Sequence, residues 1–586
     1  MRLKLLIATT LIGFCGVHAQ NFNQSQWLWS AVTENSGLQE NQPQGFVDRY
    51  GNYIMLGNFR TDTATIQSTT IQNTSDAAAP VKGDAYIAKF DTNGVLLNVK
   101  HFSGSKYEQF AALAYDGNDH YYAIGSYNGN MQIGTTTLTN PNTYGDRSFI
   151  VKFTLDGNPV WIKEFPEYMG GGYLQYKNNY LYLAANYSSD QLSFEGQTLP
   201  MANYAPTIQG MDKNLVAKFD ANTGNLIWVS SSRYTGTTSS NMSDRIGAQM
   251  KAMVVDNNGN VYIAGDFLAR SVTFGNITLN RSSSSNAGLF YVRYDNTGAV
   301  AWAKTATVGP SSDTKAYNLA VDSANNVYLV GMAYNSTINF DGTILQFPGN
   351  YGGYMVKHGT AGNLIWAKKA GISTDQAPGT NASSSSKFSR LYIDAQDNIY
   401  VGGNFYRYVN LSPDFTYTID NNFFNFIAKY NAQGNIQACE IYPAPANGSS
   451  NLKVLDSDPD NFTIISTASV DIQLNNLNIV TNDKQSVYIA KTGESALGLA
   501  EFGTANFAVY PNPASERLFI KNKEQLSDQA QIAVYDLNGR QIFKVTGATI
   551  GEKGIEVSKL AAGIYVLGIE DASQQLKEYQ KFVKNK

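Results

Sequence analysis

Between residues 45 and 500 one module recurs seven times, and its clearest copy reads AVDSANNVYLVG at 320–331 followed by YMVKHGTAGNLIWAK at 354–368. A period of this length marks a repeat architecture, in which each copy is one supersecondary unit too small to bury its own faces and the core comes from packing copies side by side. The first half of each copy is an apolar segment ending in Asp, a tight turn and a second segment ending near Gly. This holds for Asp48 to Gly57, Asp116 to Gly125, Asp256 to Gly265, Asp322 to Gly331 and Asp394 to Gly403. The third copy departs from the pattern around Lys177, and the seventh keeps Asp456 without the Gly. Alternating apolar residues bounded by Asn, Asp and Gly predict strands joined by hairpins. Asp bonds its own backbone in such turns, and Gly accepts positive φ.

The second half is a strand centred on Lys89, Lys152, Lys218, Arg293, Lys357, Lys429 or Lys491, then a turn such as DTNG, then in most copies a strand carrying Trp. Nine residues separate Lys152 from Trp161, Arg293 from Trp302 and Lys357 from Trp366. The cationic heads can stay wet while their stems lie on apolar surface, and Trp can fill the space between adjacent sheets. Both read as structural. Two hairpins per copy make a four-stranded antiparallel sheet, so the expected fold is all-β, a seven-bladed β-propeller. The seventh copy stops after its third strand, VYIAKT at 487–492, while an orphan strand, Gln26-Trp27-Leu28-Trp29-Ser30, stands ahead of the first. Pairing the two would close the ring from both ends of the chain and protect edges that invite aggregation. The Asp-turn-aromatic unit with its AKxD strand resembles the bacterial β-propeller repeats called SBBP, over residues 23 to 499. That family is defined by architecture and implies no single activity.

Arg2 and Lys4, the apolar run from Leu5 to Val17 and the exit Val17-His18-Ala19 read as a secretory signal, residues 1–19, cleaved between Ala19 and Gln20. The run is too short for a mature membrane helix, and no later segment approaches the roughly 20 consecutive apolar residues that a span needs. Cys15 lies inside this run, where Phe14 fits lipoprotein processing poorly. Cleavage would leave Cys439 as the one cysteine, so packing rather than a disulfide must hold the fold. Charged residues are 15% of the chain and the formal net charge is -4 with no basic stripe, which argues against nucleic acid as a partner.

From Phe507 the character changes to short alternating strands with tight turns, which predict a small β-sandwich over 507–586 after a linker at 501–506. The motifs Pro511-Asn512-Pro513, Asp536-Leu537-Asn538-Gly539-Arg540 and Leu560 through Tyr565, including Gly563, with the basic C-terminus, are similar to the C-terminal sorting domain of the type IX secretion system of Bacteroidota. The resemblance implies passage through the inner membrane by the signal peptide, folding in the periplasm and outer-membrane translocation by the type IX machinery. Removal of the domain would follow, with the cargo attached to surface lipopolysaccharide or released. An adhesive sandwich that stays on the mature chain is the plainer alternative.

No catalytic constellation is legible. His101, His120 and His358 lack metal-pair spacing, and neither a GxSxG elbow nor a GxxxxGK phosphate loop occurs. Asp295 to Trp302 approaches a sialidase aspartate box, but Gly298 stands one residue too far along. Turns such as DNNGN at 256–260 offer oxygens to calcium, although a residue repeated in every copy reads first as folding grammar. The connections between second and third strands and between copies are long and read as irregular, and all emerge on one face. They carry Tyr144, Tyr204, Tyr234 and Tyr351, amphipathic groups suited to sugars or peptides. The expectation is a secreted or cell-surface binding or scaffold protein for a glycan or protein ligand, with no cofactor. A glycan-active hydrolase, with two carboxyl groups about 5 to 10 Å apart, and a structural surface-layer component are the alternatives.

Overall fold

The computed structural model is all-β apart from one short helix at Gly547–Ile550. It describes residues 26–34, 44–76, 79, 81–141, 145–166, 168–187, 193–194, 197–198, 213–235, 248–281, 287–309, 313–370, 385–444, 453–458, 461–468, 472–474, 477–480, 486–493, 508–521, 526–536, 541–550, 554–571, 573 and 576–585. The chain divides into two compact units, Met1–Gly493 and Glu494–Lys586.

The fourth repeat shows how sequence becomes sheet in the first unit. Ala248–Val255, Val261–Phe267, Gly288–Tyr294 and Val300–Lys304 pair antiparallel in that order. Among the described residues this four-stranded arrangement occurs seven times, and in the last of them Lys453–Asp458, Asn461–Ala468 and Ser486–Gly493 are joined by Gln26–Glu34. In five of the repeats the first turn is built on an Asp, at Asp48, Asp116, Asp256, Asp322 and Asp394. Asp256 Oδ1 accepts the N–H groups of Asn258 and Asn260 at 2.9 Å each, and Oδ2 accepts Asn260 Nδ2 at 2.8 Å and the Tyr262 hydroxyl at 3.2 Å. The same bonds from the Asn four residues on recur at Asp48, Asp322 and Asp394. This explains the Asp-to-Asn spacing: an otherwise orphaned turn N–H and a buried carboxylate satisfy each other.

The recurring Trp joins one repeat to the next. Trp161, Trp228 and Trp302 donate their indole N–H to Ala221, Asn296 and Thr360 carbonyls, at 3.4, 3.1 and 3.1 Å, each in the second turn of the following repeat. Gly298 in one such turn has φ +88°, and a Cβ there would fall 2.7 Å from the Trp228 ring. Glycine thus serves both the left-handed backbone and the close approach of the indole.

The connections between second and third strands differ from the irregular loops expected. Each carries a small hairpin, such as Thr63–Ile66 with Thr69–Gln72, Asn130–Ile133 with Thr136–Thr139 and Ser271–Phe274 with Ile277–Asn280. In the fifth and sixth repeats the long strands Val327–Phe340, Thr343–His358, Ile399–Ser412 and Phe415–Tyr430 continue into it. Two of these hairpins clasp the fourth strand of the preceding repeat, through Thr33 opposite Ile66 and Ser232 opposite Phe274, and a third pairs with the short strand Thr307–Val308 just after such a strand, through Val308 opposite Ile338. Backbone groups that a loose loop would leave to water are paired instead.

In the second unit, Ala508–Tyr510, Arg517–Lys521 and Ile555–Glu556 form one sheet, and Gln541–Thr546, Gln531–Tyr535, Gly563–Asp571 and Leu576–Lys584 another. Leu518 and Ile520 from the first share a core with Ile532, Val534, Leu567, Ile569 and Phe582 from the second.

Candidate binding channel

The first strands of six repeats surround a cavity of about 780 Å³, lined by residues from 44–46, 112–115, 173–177, 252–255, 318–323 and 391–397. Each of these strands from the second repeat to the sixth is interrupted by a bulge, as between Phe110 and Ala112, Met250 and Ala252, Ala316 and Asn318, and Phe388 and Arg390. A bulge adds one residue to one strand and re-aims the side chains around it. At one end the cavity is bordered by the first turns of the repeats, several of which bond to one another. Arg49 donates its backbone N–H to the Tyr115 hydroxyl at 2.9 Å and pairs with Asp119 at 2.8 Å. Asn178 Nδ2 donates to Asn257 O at 2.9 Å, Asn257 N–H to Asn325 Oδ1 at 3.0 Å, and Ser323 N–H to Asp397 Oδ1 at 2.8 Å. Phe46 and Tyr115 stack at 4.5 Å between centroids within the lining.

Near the bulges, charged and phenolic side chains of different repeats act on one another in pairs, Arg390 with Tyr173 and Tyr317, and Tyr173 with Asp266. Arg390, on the first strand of the sixth repeat, is 7% exposed and donates Nη1 to Ser389 O at 2.7 Å, while its Nε has no partner. Burial brings the guanidinium down to about 10, against the opposing pull of Tyr173 and Tyr317. Tyr173 belongs to the third repeat and Tyr317 to the fifth, so the groups that act on Arg390 come from other repeats than its own. Lys387 is lowered by burial and then by Arg390 and Lys315. Asp266, which accepts the Ala316 N–H at 3.0 Å, also acts on Tyr173. Sequence reading missed this set because its members lie in different repeats and no spacing joins them.

A second buried cluster lies where the first two repeats meet. Asp84 Oδ2 accepts the Thr74 N–H and hydroxyl at 2.9 and 2.8 Å and lies 2.6 Å from His101 Nε2. Glu108 nearby is fully buried with neither carboxyl oxygen bonded, and desolvation, then the Asp84 charge, pushes it up to about 9.

Of the tyrosines expected to bind a ligand, Tyr351 lies opposite Tyr334, and the two rings stack at 4.3 Å. It stands at the other end of the sheet from the turn ring. Tyr234 occupies strand Leu226–Thr235 opposite Val272. Tyr144, Tyr204, Ala19 and Gln20 lie outside the described residues. The turn carboxylates offered to calcium are engaged by their own turns, and no group of three or more His, Cys, Asp or Glu among the described residues could hold a metal. Cys439 is buried and free.

In the second unit Asn512 Oδ1 accepts the Val583 N–H at 2.8 Å, tying the segment of Pro511 and Pro513 to the last strand. Tyr565 donates its hydroxyl to Ala561 O at 3.0 Å and stacks on Phe582, and Gly563 opens its strand opposite Lys584. Asp536 follows strand Gln531–Tyr535, and Asn538, Gly539 and Arg540 lie outside the described residues.

No curated protein matches the chain. Among solved structures, a protein of unknown function from Dyadobacter fermentans is 8% identical, with 80% of this chain and 98% of that one covered and a TM-score of 0.36. An ulvan lyase of polysaccharide lyase family PL25 is 10% identical, covering 76% and 93%, with a TM-score of 0.38. PorZ, a surface component of the type IX secretion system of Porphyromonas gingivalis, is 11% identical, covering 94% and 100%, with a TM-score of 0.22. None of these scores reaches 0.5, so none bears on fold or activity. No helix among the described residues is long and apolar enough to cross a membrane. Residues 508–585 match the secretion system C-terminal sorting domain family, and this tail marks the chain as cargo of the type IX secretion system, sent to the outer cell surface or released from it.

Proposed function

We propose that residues 26–493 are a seven-bladed β-propeller, closed by the pairing of Gln26–Glu34 with the last repeat, that serves at the cell surface as a binding module for a glycan or protein. One observation carries this reading: a single cavity lined by the first strands of six repeats presents the rings of Phe46, Tyr115, Tyr173, Tyr176 and Tyr392 together with Lys177, Asp322 and Asp394. Ligand sites are typically concave, aromatic-lined and supplied with a few convergent polar groups. Tyr144, Tyr204, Tyr234 and Tyr351, which stand in or beside the long connections of the sequence, are taken in this reading as further ligand contacts. The test is a glycan and protein array with the purified chain, followed by product analysis on every hit. Binding without turnover, weakened when the four tyrosines are replaced by Ala, is the expected result. Turnover would make the protein an enzyme, and self-association without any ligand would make it a structural component.

A further inference from the structure

A row of side chains crosses five strands in register, at the end of the sheets away from the turn ring. Tyr334 lies opposite Tyr351 in the fifth repeat, Tyr351 bridges to Ser385 in the sixth, and Ser385 lies opposite Tyr406, which lies opposite Phe423. Residues paired directly across strands share a face, and all five are half-buried. The rings meet in two pairs, Tyr334 stacked on Tyr351 at 4.3 Å and Tyr406 tilted against Phe423 at 4.9 Å between centroids. Between the pairs stands Ser385 alone. Two strand spacings put Tyr351 and Tyr406 about 10 Å apart, whereas a ring in contact with an aromatic face on either side needs about 7–8 Å. The register thus makes a slot one ring wide, with aromatic walls and a hydroxyl on its floor.

The repeat grammar does not require this row. Three residues past the recurring Gly stand Tyr334 and Tyr406, but in the first and second repeats the same place holds Arg60 and Asn128. A cation completes the arrangement. Arg407 breaks the register between Tyr406 and Tyr408 with φ +65°, a left-handed backbone that a residue with a Cβ adopts at a cost. Its guanidinium lies over the Tyr406 ring at 5.2 Å, its Nε has no partner, and no carboxylate among the described residues pairs with it. A guanidinium held on a ring keeps its edge for the two oxygens of a carboxylate or sulfate. We propose that this row binds an acidic polysaccharide: one sugar enters the slot between Tyr351 and Tyr406 with its C–H side on an aromatic face, and Arg407 takes the carboxylate or sulfate. An inorganic anion would leave both walls unused. This rests on the reading of the first unit as a binding module and names the ligand class at Tyr351, one of the contacts of that reading.

The experiment is calorimetric titration of the full chain with two matched pairs: oligogalacturonate against its methyl ester, and dextran sulfate against dextran. Hexaglutamate is a charge control. At least one acidic sugar should bind, and its neutral counterpart about tenfold more weakly, the effect of one lost charge-assisted contact. The pair that responds distinguishes carboxylate from sulfate. Arg407→Gly suits the left-handed backbone and should leave the melting temperature unchanged. It should weaken the acidic sugar about tenfold and abolish the preference over the neutral one. Ser385→Trp fills the slot without removing a wall and should weaken both members of the pair about tenfold. Should Ser385→Trp not fold, Tyr406→Ala decides by removing one wall, with the same expected loss. Acidic-sugar binding unchanged in Arg407→Gly and in the slot variant would overturn the site and leave the binding module standing. Equal binding of acidic and neutral partners would overturn the anion assignment. Hexaglutamate binding as tightly as the sugars would overturn the polysaccharide assignment, as would binding confined to other members of the broader array. If neither these four glycans nor any member of that array bound, the binding-module reading itself would fall.

Discussion

Trp302 donates its indole N–H to the carbonyl of Thr360 at 3.1 Å, across the junction between the fourth and fifth repeats. The ring also packs against Tyr262 and Tyr291 of its own repeat, so one side chain belongs to two sheets at once. Because each sheet is too small to stand alone, such junctions rather than isolated repeats carry the stability of the first unit.

Trp302→Ala should therefore cost about 3–5 kcal/mol, the usual range for deleting a large buried aromatic. Trp302→Phe should cost less, since a ring remains and the exposed Thr360 carbonyl can turn to water. Urea unfolding of the two variants against the parent measures the difference.

The turn at Asp256 should not depend on metal. Asp256→Ala removes an acceptor from Asn258, Asn260 and Tyr262 together and should cost about 3 kcal/mol, given the worth of hydrogen bonds to a charged group. Thermal melts with calcium and with a chelator should coincide. A chelator-dependent fall in melting temperature would show that a cation holds these turns.

Glu108 gives a pH dependence with a definite sign. Its native value of about 9 lies above that of an unfolded glutamate, so the folded state favours the protonated form. The associated stability is complete below about pH 4 and declines as pH rises towards 9. Glu108→Gln, which stays neutral, should match the parent near pH 4 and exceed it at pH 8 by up to about 5 kcal/mol. Identical melting profiles at both pH values would show that the carboxyl is solvated or paired.

Deleting residues 508–585 should leave the first unit stranded in the periplasm, measured by fractionation of expressing cells. Asn512→Ala removes the acceptor of the Val583 N–H and should lower the stability of the sorting domain by about 1 kcal/mol.

The repeat made much of this legible in advance. Asp256, Asn260 and Tyr262 stand at fixed distances because one turn uses all three, and Lys152 stands nine residues before Trp161 because the two are directly opposed across a hairpin. The hairpins between second and third strands were harder to see. Segments such as SVTF and ITLN are only four residues long, too short for a period-2 pattern to separate from a loop. The channel cluster left no local signal at all. Arg390 and Tyr173 are 217 positions apart, and the bulges that orient their strands arise from backbone pairing rather than from any marked residue.

The strand Gln26–Glu34 holds its partner Ser486–Gly493 across nearly the whole first unit, with Thr33 opposite Val487. The segment synthesised early must therefore wait for one synthesised late, and the last sheet is incomplete until both are in place. Once made, the joint changes what a protease can do. A single cut in a connection between the repeats leaves two pieces still joined through this pairing, so releasing a repeat from the first unit takes two cuts.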